Sequence, residues 1–266
     1  MGLRGEITSS QNRHIAQARS LHRKRARDRE RRCLIEGVRL IETALDAGVA
    51  PVFCFLEQGF ATDERREALE RRLLAGPWPT WRVSSEAMQA TCDTQTPQGI
   101  TCVVPVPQPA ASLPANASLV VTLDGIRDPG NLGTILRTCQ ALGASVVLLT
   151  KDCVDAWSPK VLRAGMGAHF SLPIHTGLAW DRIAALTGKL KRVVAEPGAS
   201  QTAWQFDWLQ PVMLVIGGEA HGAGERALAA ADERVRIPMA PGAESLNAAV
   251  ACGMLLYEIK RQRAAR

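Results

Sequence analysis

Aromatic rings are scarce in this chain, with one tyrosine and five phenylalanines in 266 residues. A platform that stacks successive bases on exposed rings is therefore poorly supported. No run of eighteen apolar residues occurs, so no transmembrane helix is expected, and the opening MGLRGEITSS lacks the apolar core of a signal peptide. The expected location is the cytoplasm. The seven cysteines (Cys33, Cys54, Cys92, Cys102, Cys139, Cys153 and Cys252) are odd in number and scattered, without a CxxC or a Cys/His pair at metal spacing. Neither a disulfide framework nor a metal site is expected, and those in apolar runs act as small hydrophobes. A Gly-x-Gly-x-x-Gly opening a helix after the first strand of the second half is also missing, which excludes an ordinary dinucleotide-binding enzyme.

What the chain does have is charge in one place. Residues 1–39 hold eleven Lys or Arg against four Asp or Glu, whereas the rest hold twenty-one against twenty-two, so the net charge of +6 resides in the first 39 residues. Such asymmetry points to a polyanionic partner, because each neutralised phosphate releases counterions. Hydrophobic content of 46% and charged content of 22% are those of an ordinary soluble protein with one or two domains.

Ser9 or Ser10 can cap a helix with Ile15, Ala18 and Leu21 as its apolar stripe. The nearly all-charged Leu21–Arg32 then reads as an exposed extension of that helix or a mobile arm. Strands are expected at 33–37, 52–56, 81–83 and 99–104, with helices over 38–48, 64–74 and 86–90. Together they make a small α/β domain over 1–105. The stretch 106–118, with prolines and no charge, reads as a semi-rigid linker. A second domain over 119–266 begins with strand LVVTLD (119–124) and a helix over 132–142. Strands follow at 145–149, 170–174 and 192–196, with helices at 158–165 and 180–186. Alternation of strand and helix implies a parallel sheet with helices on both faces. Next comes a buried strand, Val212–Ile216, that breaks at Gly217 and Gly218 and delivers Glu219. A short strand at 235–237 precedes Ser245, Leu246 and Asn247, which open a long helix and suit its cap. Two strand ends and a helix start would meet there, as at the ligand crevice of open α/β sheets.

Three segments, DPGNLGTILR (Asp128–Arg137), LVIGGEAHG (Leu214–Gly222) and IPMAPGAESLN (Ile237–Asn247), occur in the order and at the separations of the SpoU family of RNA ribose methyltransferases, of the SPOUT class, and the chain from Leu119 onward closely resembles that family. PKVLRAGMGAHF (159–170) resembles a further block, although Gly165 stands where serine is common, and Ala248 and Ala249 replace the usual Val and Ser. SSQNRHI (9–15) and LIEGVRL (34–40) resemble the family's ribosomal-protein-like substrate-binding domain more loosely. The resemblance implies a trefoil knot tied by Val212–Asn247, which patterning alone would never propose because knots are nearly absent among folds. It implies S-adenosyl-L-methionine as cofactor, held at Gly217, Gly218, Ile237, Met239 and Leu246, and a homodimer through the second domain. Its catalytic set would be Asn131, Arg137, Glu219, Ser245 and Asn247. Arg137 would activate the ribose hydroxyl or grip the neighbouring phosphate, and Glu219 would orient Arg137 or Asn131. Phosphate contacts would come from Arg13, Arg19, Arg23, Lys24, Arg25, Arg39 and Arg163. The implied substrate is ribosomal RNA, with transfer RNA, or a non-catalytic RNA-binding or assembly role, as alternatives. His169 and His221 lack a paired carboxylate at a readable spacing and are not expected to serve as bases.

Overall fold

The computed structural model describes residues 2–219 and 221–264. The chain forms two compact units, Met1–Pro107 with Trp157–Phe170, and Gln108–Ala156 with Ser171–Arg266.

The first unit runs β1 (Leu3–Ile7), α1 (Arg13–Ser20), α2 (Lys24–Glu30), β2 (Arg32–Glu36), α3 (Val38–Asp46), β3 (Phe53–Glu57), α4 (Glu64–Ala75), β4 (Thr80–Val83), α5 (Ser85–Thr91) and β5 (Ile100–Pro105). Its sheet has the order β1-β4-β3-β5-β2, parallel through β1, β4 and β3 and antiparallel through β5 and β2. Asn12, not a serine, caps α1 by accepting from His14 N. Ile15, Ala18 and Leu21 enter a core with Leu34, Phe53, Phe55, Met88 and Val103, as the helical stripe requires. Strand β1 has no counterpart in the sequence reading, because an edge strand exposed at four of its five positions carries no apolar alternation.

The charged segment after α1 is ordered as a helix of its own, because one of its arginines is structural. Arg27 is only 4% exposed, and its Nη1 donates to Leu21 O at 2.6 Å and His22 O at 2.8 Å, satisfying carbonyls that the end of α1 leaves open. Arg27→Ala is expected to destabilise this unit by about 2–3 kcal/mol, since two buried acceptors lose a charged donor. Urea unfolding with an unshifted midpoint would refute that account.

In chain order the second unit begins with β6 (Leu119–Asp124), α6 (Pro129–Leu142) and β7 (Val146–Thr150). Asp128 caps α6 through Asn131 N, Pro129 occupies its first turn, and Gly143 closes it in the left-handed region at φ 83°. The next helix, α7 (Pro159–Gly165), leaves this unit for the first one, with the turn Ala168–Phe170. Chain order had placed it in the second domain. Burial decides otherwise: Val161 and Leu162 are covered where α7 packs on β2, and a Cβ on Gly167 would lie 2.5 Å from Thr43 Cγ2.

The second unit resumes with β8 (Ile174–Leu178), α8 (Trp180–Thr187), β9 (Lys191–Ala195), β10 (Gln201–Thr202), β11 (Val212–Gly217), α9 (Glu225–Ala229), β12 (Glu233–Arg236) and α10 (Ala248–Ala264). The strand expected at 170–174 starts four residues later, because Phe170 closes the short turn and packs near Trp157. All seven strands are parallel, in the order β10-β12-β9-β11-β6-β7-β8. The central strands β6, β7 and β11 are buried almost throughout, which is why they read as continuous apolar runs. The expected linker is partly bound to this unit. Leu113 and Ala117 pack against its core, and Arg182 Nη2 donates to Ala111 O at 2.6 Å.

Candidate active site

Strands β6 and β11 end side by side, with Asp124 opposite Gly217. The loop leaving β11 turns at once, as Gly218 N donates to Asp124 O at 2.9 Å and Gly222 N to Gly218 O at 3.0 Å. Space forces glycine here. A Cβ on Gly217 would lie 2.0 Å from Ala223 N, and one on Gly218 would lie 2.4 Å from Gly125 O. The loop closes where Gly224 N donates to the Asp124 carboxylate Oδ2 at 2.8 Å.

A cavity of about 680 Å³ opens against this loop. Gly217, Gly218, Ile237, Met239 and Leu246, together with Glu219 and Ser245, all border it. They come from three separate stretches of chain, brought together by the carboxyl ends of β11 and β12 and by the approach to α10. Glu196, Pro197 and Gly198, after β9, supply a further wall that the sequence reading passed over. The signal was available, since AEPG after a buried strand has the same strand-then-breaker grammar as IGGE.

At the cavity edge three side chains form a directed chain of hydrogen bonds. Asn131 Nδ2 donates to Glu219 Oε1 at 2.6 Å, and Asn247 Nδ2 donates to Asn131 Oδ1 at 2.9 Å. Asn247 Oδ1 in turn accepts from Ala249 N at 2.9 Å and Val250 N at 3.3 Å, capping α10. A carboxylate only accepts, so Glu219 fixes which way the Asn131 amide faces, and Asn131 then fixes Asn247. Glu219 thus orients Asn131. Ser245 lies in the loop, two residues before the cap, instead of opening the helix itself.

Arg137 stands apart from this network. It is exposed, lies about 120° around α6 from Asn131, and pairs with no carboxylate among the described residues. His221 borders the cavity, whereas His169 is buried in the first unit beside Trp157. Among the described residues no cluster of metal-ligating side chains occurs.

The basic candidates lie in the first unit. Arg13, Arg19, Arg23, Lys24, Arg25 and Arg39 are exposed, with Lys24 pairing to Asp28 at 2.8 Å. Arg163, on α7, donates to Asp93 at 2.8 Å and holds that carboxyl below the usual carboxylate range. The depressed value means the pair contributes fully at neutral pH and is lost only as pH falls through it. Arg163 therefore tethers α7 within this unit.

The residue most clearly missed in the sequence is Asp124. It sits outside the three blocks, and an aspartate at a strand end reads as an ordinary turn former.

Residues 118–257 match the model of the SpoU rRNA Methylase family, and residues 12–102 match the MRM3-like substrate binding domain. The chain is similar to an uncharacterized tRNA/rRNA methyltransferase of Synechocystis sp., at 37% identity over 260 residues, covering 97% of this chain and 94% of the relative. It is also similar to the 23S rRNA (guanosine(2553)-2′-O)-methyltransferase RlmP of Bacillus subtilis, at 30% identity over 259 residues, covering 96% and 99%. Among solved structures it is similar to the SpoU methyltransferase AviRb from Streptomyces viridochromogenes in complex with the cofactor AdoMet, with a TM-score of 0.88 at 26% identity over 96% of this chain and 99% of that one. With two domains matched along its length, two of the family's blocks bordering one cavity and the third hydrogen-bonded to both through Asn131, the chain belongs to the SpoU rRNA methylase family.

Proposed function

We propose that this protein transfers the methyl group of S-adenosyl-L-methionine (AdoMet) to a ribose 2′-hydroxyl of structured RNA, with ribosomal RNA as its substrate. The observation that carries this reading is the convergence of two separated blocks on one cavity, with the third joined to them through the Glu219–Asn131–Asn247 chain. The cavity has the size of a small-molecule site. Ile216, Leu228, Val235 and Ile237 give it apolar walls, and glycine backbone at 217, 218 and 222 leaves peptide groups within reach of a ligand's edge. That combination fits an adenine ring, which needs apolar faces and backbone hydrogen bonds. When bound, AdoMet supplies an electrophilic methyl group.

The residues of the chain do the rest. Gly217, Gly218, Ile237, Met239 and Leu246 hold the cofactor through backbone and apolar contacts. Glu219, Asn131 and Asn247 present a fixed polar edge to the ribose, and Ser245 adds a hydroxyl at the cavity wall. A ribose hydroxyl is a poor nucleophile, so the site must place it in line with the methyl and accept its proton, directly or through water. Arg137 grips the phosphate beside the target nucleotide, for which its planar fork is suited. A guanidinium gives up a proton too reluctantly for anchoring to be the lesser of its roles.

Residues 1–105, with Trp157–Phe170 packed among them, act as the RNA-binding domain, 106–118 join it to the methyltransferase domain, and the rest of 119–266 carries the reaction. The basic set Arg13, Arg19, Arg23, Lys24, Arg25 and Arg39 positions the RNA by phosphate contact, without reading bases. The chain from Val212 to Asn247 forms a trefoil knot. In its support, β9 lies between the later strands β11 and β12, and the loop after β11 is tied back to Asp124. The protein acts as a homodimer through α10, whose Val250, Met254 and Tyr257 are 51%, 47% and 64% exposed along one stripe, a larger apolar face than a lone helix surface needs. We place the reaction in the cytoplasm; among the described residues no helix is long and apolar enough to cross a membrane.

The test is transfer of labelled methyl from AdoMet to ribosomal subunits and total RNA from a strain lacking the gene. Label on one ribosomal RNA, at a ribose that resists alkaline cleavage, is the expected result. Label confined to transfer RNA would replace the substrate. Cofactor binding with no transfer to subunits, precursors or naked RNA would replace the reaction with a non-catalytic assembly role.

A further inference from the structure

Asp124 is a carboxylate only 9% exposed, and among the described residues it has no cationic partner. A buried carboxylate persists only where hydrogen bonds offset its lost hydration. Among the described residues its one side-chain bond is to Gly224 N, 100 positions away in the chain, while its main-chain oxygen receives Gly218 N. A single residue therefore holds both ends of the loop 218–224. Glu219, His221, Gly222 and Ala223 on that loop border the cavity, and Glu219 is the group that aligns Asn131. Asp124 itself does not border the cavity, so any influence on a ligand passes through the loop.

We propose that Asp124 is a positioning residue that clamps the 218–224 loop, setting at once the cofactor wall and the place of Glu219. The proposal rests on the cavity being the AdoMet site. What the clamp requires is an acceptor at a fixed reach. Asparagine keeps that acceptor without the charge. Glutamate keeps the charge but is one methylene longer, so its carboxylate cannot take the place of Asp124 Oδ2, 2.8 Å from Gly224 N, unless the loop moves. Geometry and charge thus separate in two substitutions.

The experiment compares the full-length protein with Asp124→Ala, Asp124→Asn and Asp124→Glu, reading AdoMet affinity by calorimetry, kcat and KM for methyl transfer, and amide hydrogen exchange over 218–224. Asp124→Ala and Asp124→Glu should weaken AdoMet roughly tenfold to a hundredfold, lower kcat and speed exchange at Gly218 and Gly224, while Asp124→Asn stays within about threefold on all three. Wild-type affinity, kcat and exchange in Asp124→Ala would overturn the clamp. Equal loss in the asparagine and alanine variants would also overturn it, by showing that charge and not reach matters. Should the unmodified protein fail to bind AdoMet, the cofactor reading falls, and the exchange rates still decide the clamp. Asp124→Glu keeps the test open if the alanine variant does not fold.

Discussion

Arg137→Ala is expected to reduce methyl transfer to RNA by about a hundredfold or more while AdoMet affinity stays within about twofold and the melting temperature is unchanged. The separation of effects follows from position. The side chain is exposed on α6, does not border the cavity, and has no ion pair among the described residues, so its removal costs the fold and the cofactor nothing. What it removes is an exposed planar cation on α6, the helix that also carries Asn131. Steady-state kinetics at saturating AdoMet divide its possible roles. A rise in KM for RNA with little change in kcat marks a phosphate anchor, whereas a fall in kcat marks action on the hydroxyl. Arg137→Lys should restore only part of the activity, because an ammonium keeps the charge but not the fork. Full activity in the alanine variant would remove Arg137 from the site altogether.

Gly217→Ala should abolish measurable AdoMet binding and lower stability by about 1–3 kcal/mol. The reason is close approach and not a special dihedral, since Gly217 lies in an ordinary strand conformation. The added Cβ would lie 2.0 Å from Ala223 N and 2.0 Å from Gly222 C, both backbone atoms with no rotamer to escape into. The loop would have to move, and with it Glu219. Gly198→Ala is the control for stability, because a Cβ there meets nothing within 4 Å although Gly198 borders the same cavity. Calorimetry and denaturant unfolding of the two variants check the prediction. An alanine at 217 that binds AdoMet normally would show that the loop yields freely.

The division between sequence and structure follows the range of the interactions. Strands β6 and β11 were legible because a strand buried on both faces must be apolar along its length, whereas α6, expected from 132, starts three residues earlier, at Pro129 behind the Asp128 cap. Resemblance in three blocks then named the residues around the cavity. Patterning could draw a helix at 158–165, but could not show that it packs on β2 within the first unit, burying Val161 and Leu162. It could mark residues 21–32 as basic without revealing that Arg27 turns inward to two carbonyls.

By itself, then, the sequence determined the α/β class, the all-parallel second sheet, the basic first unit and two of the segments that border the cavity, because each is written in local composition, periodicity or a contiguous block. Only the tertiary structure decided that Glu219 aligns Asn131 across 88 positions, that Asn247 reaches Asn131 across 116, and that Asp124 ties the loop across 100. These bonds join side chains whose neighbours in the chain carry no trace of the partner. They exist because the parallel register sets the ends of β6 and β11 side by side, and that register is a property of the whole sheet.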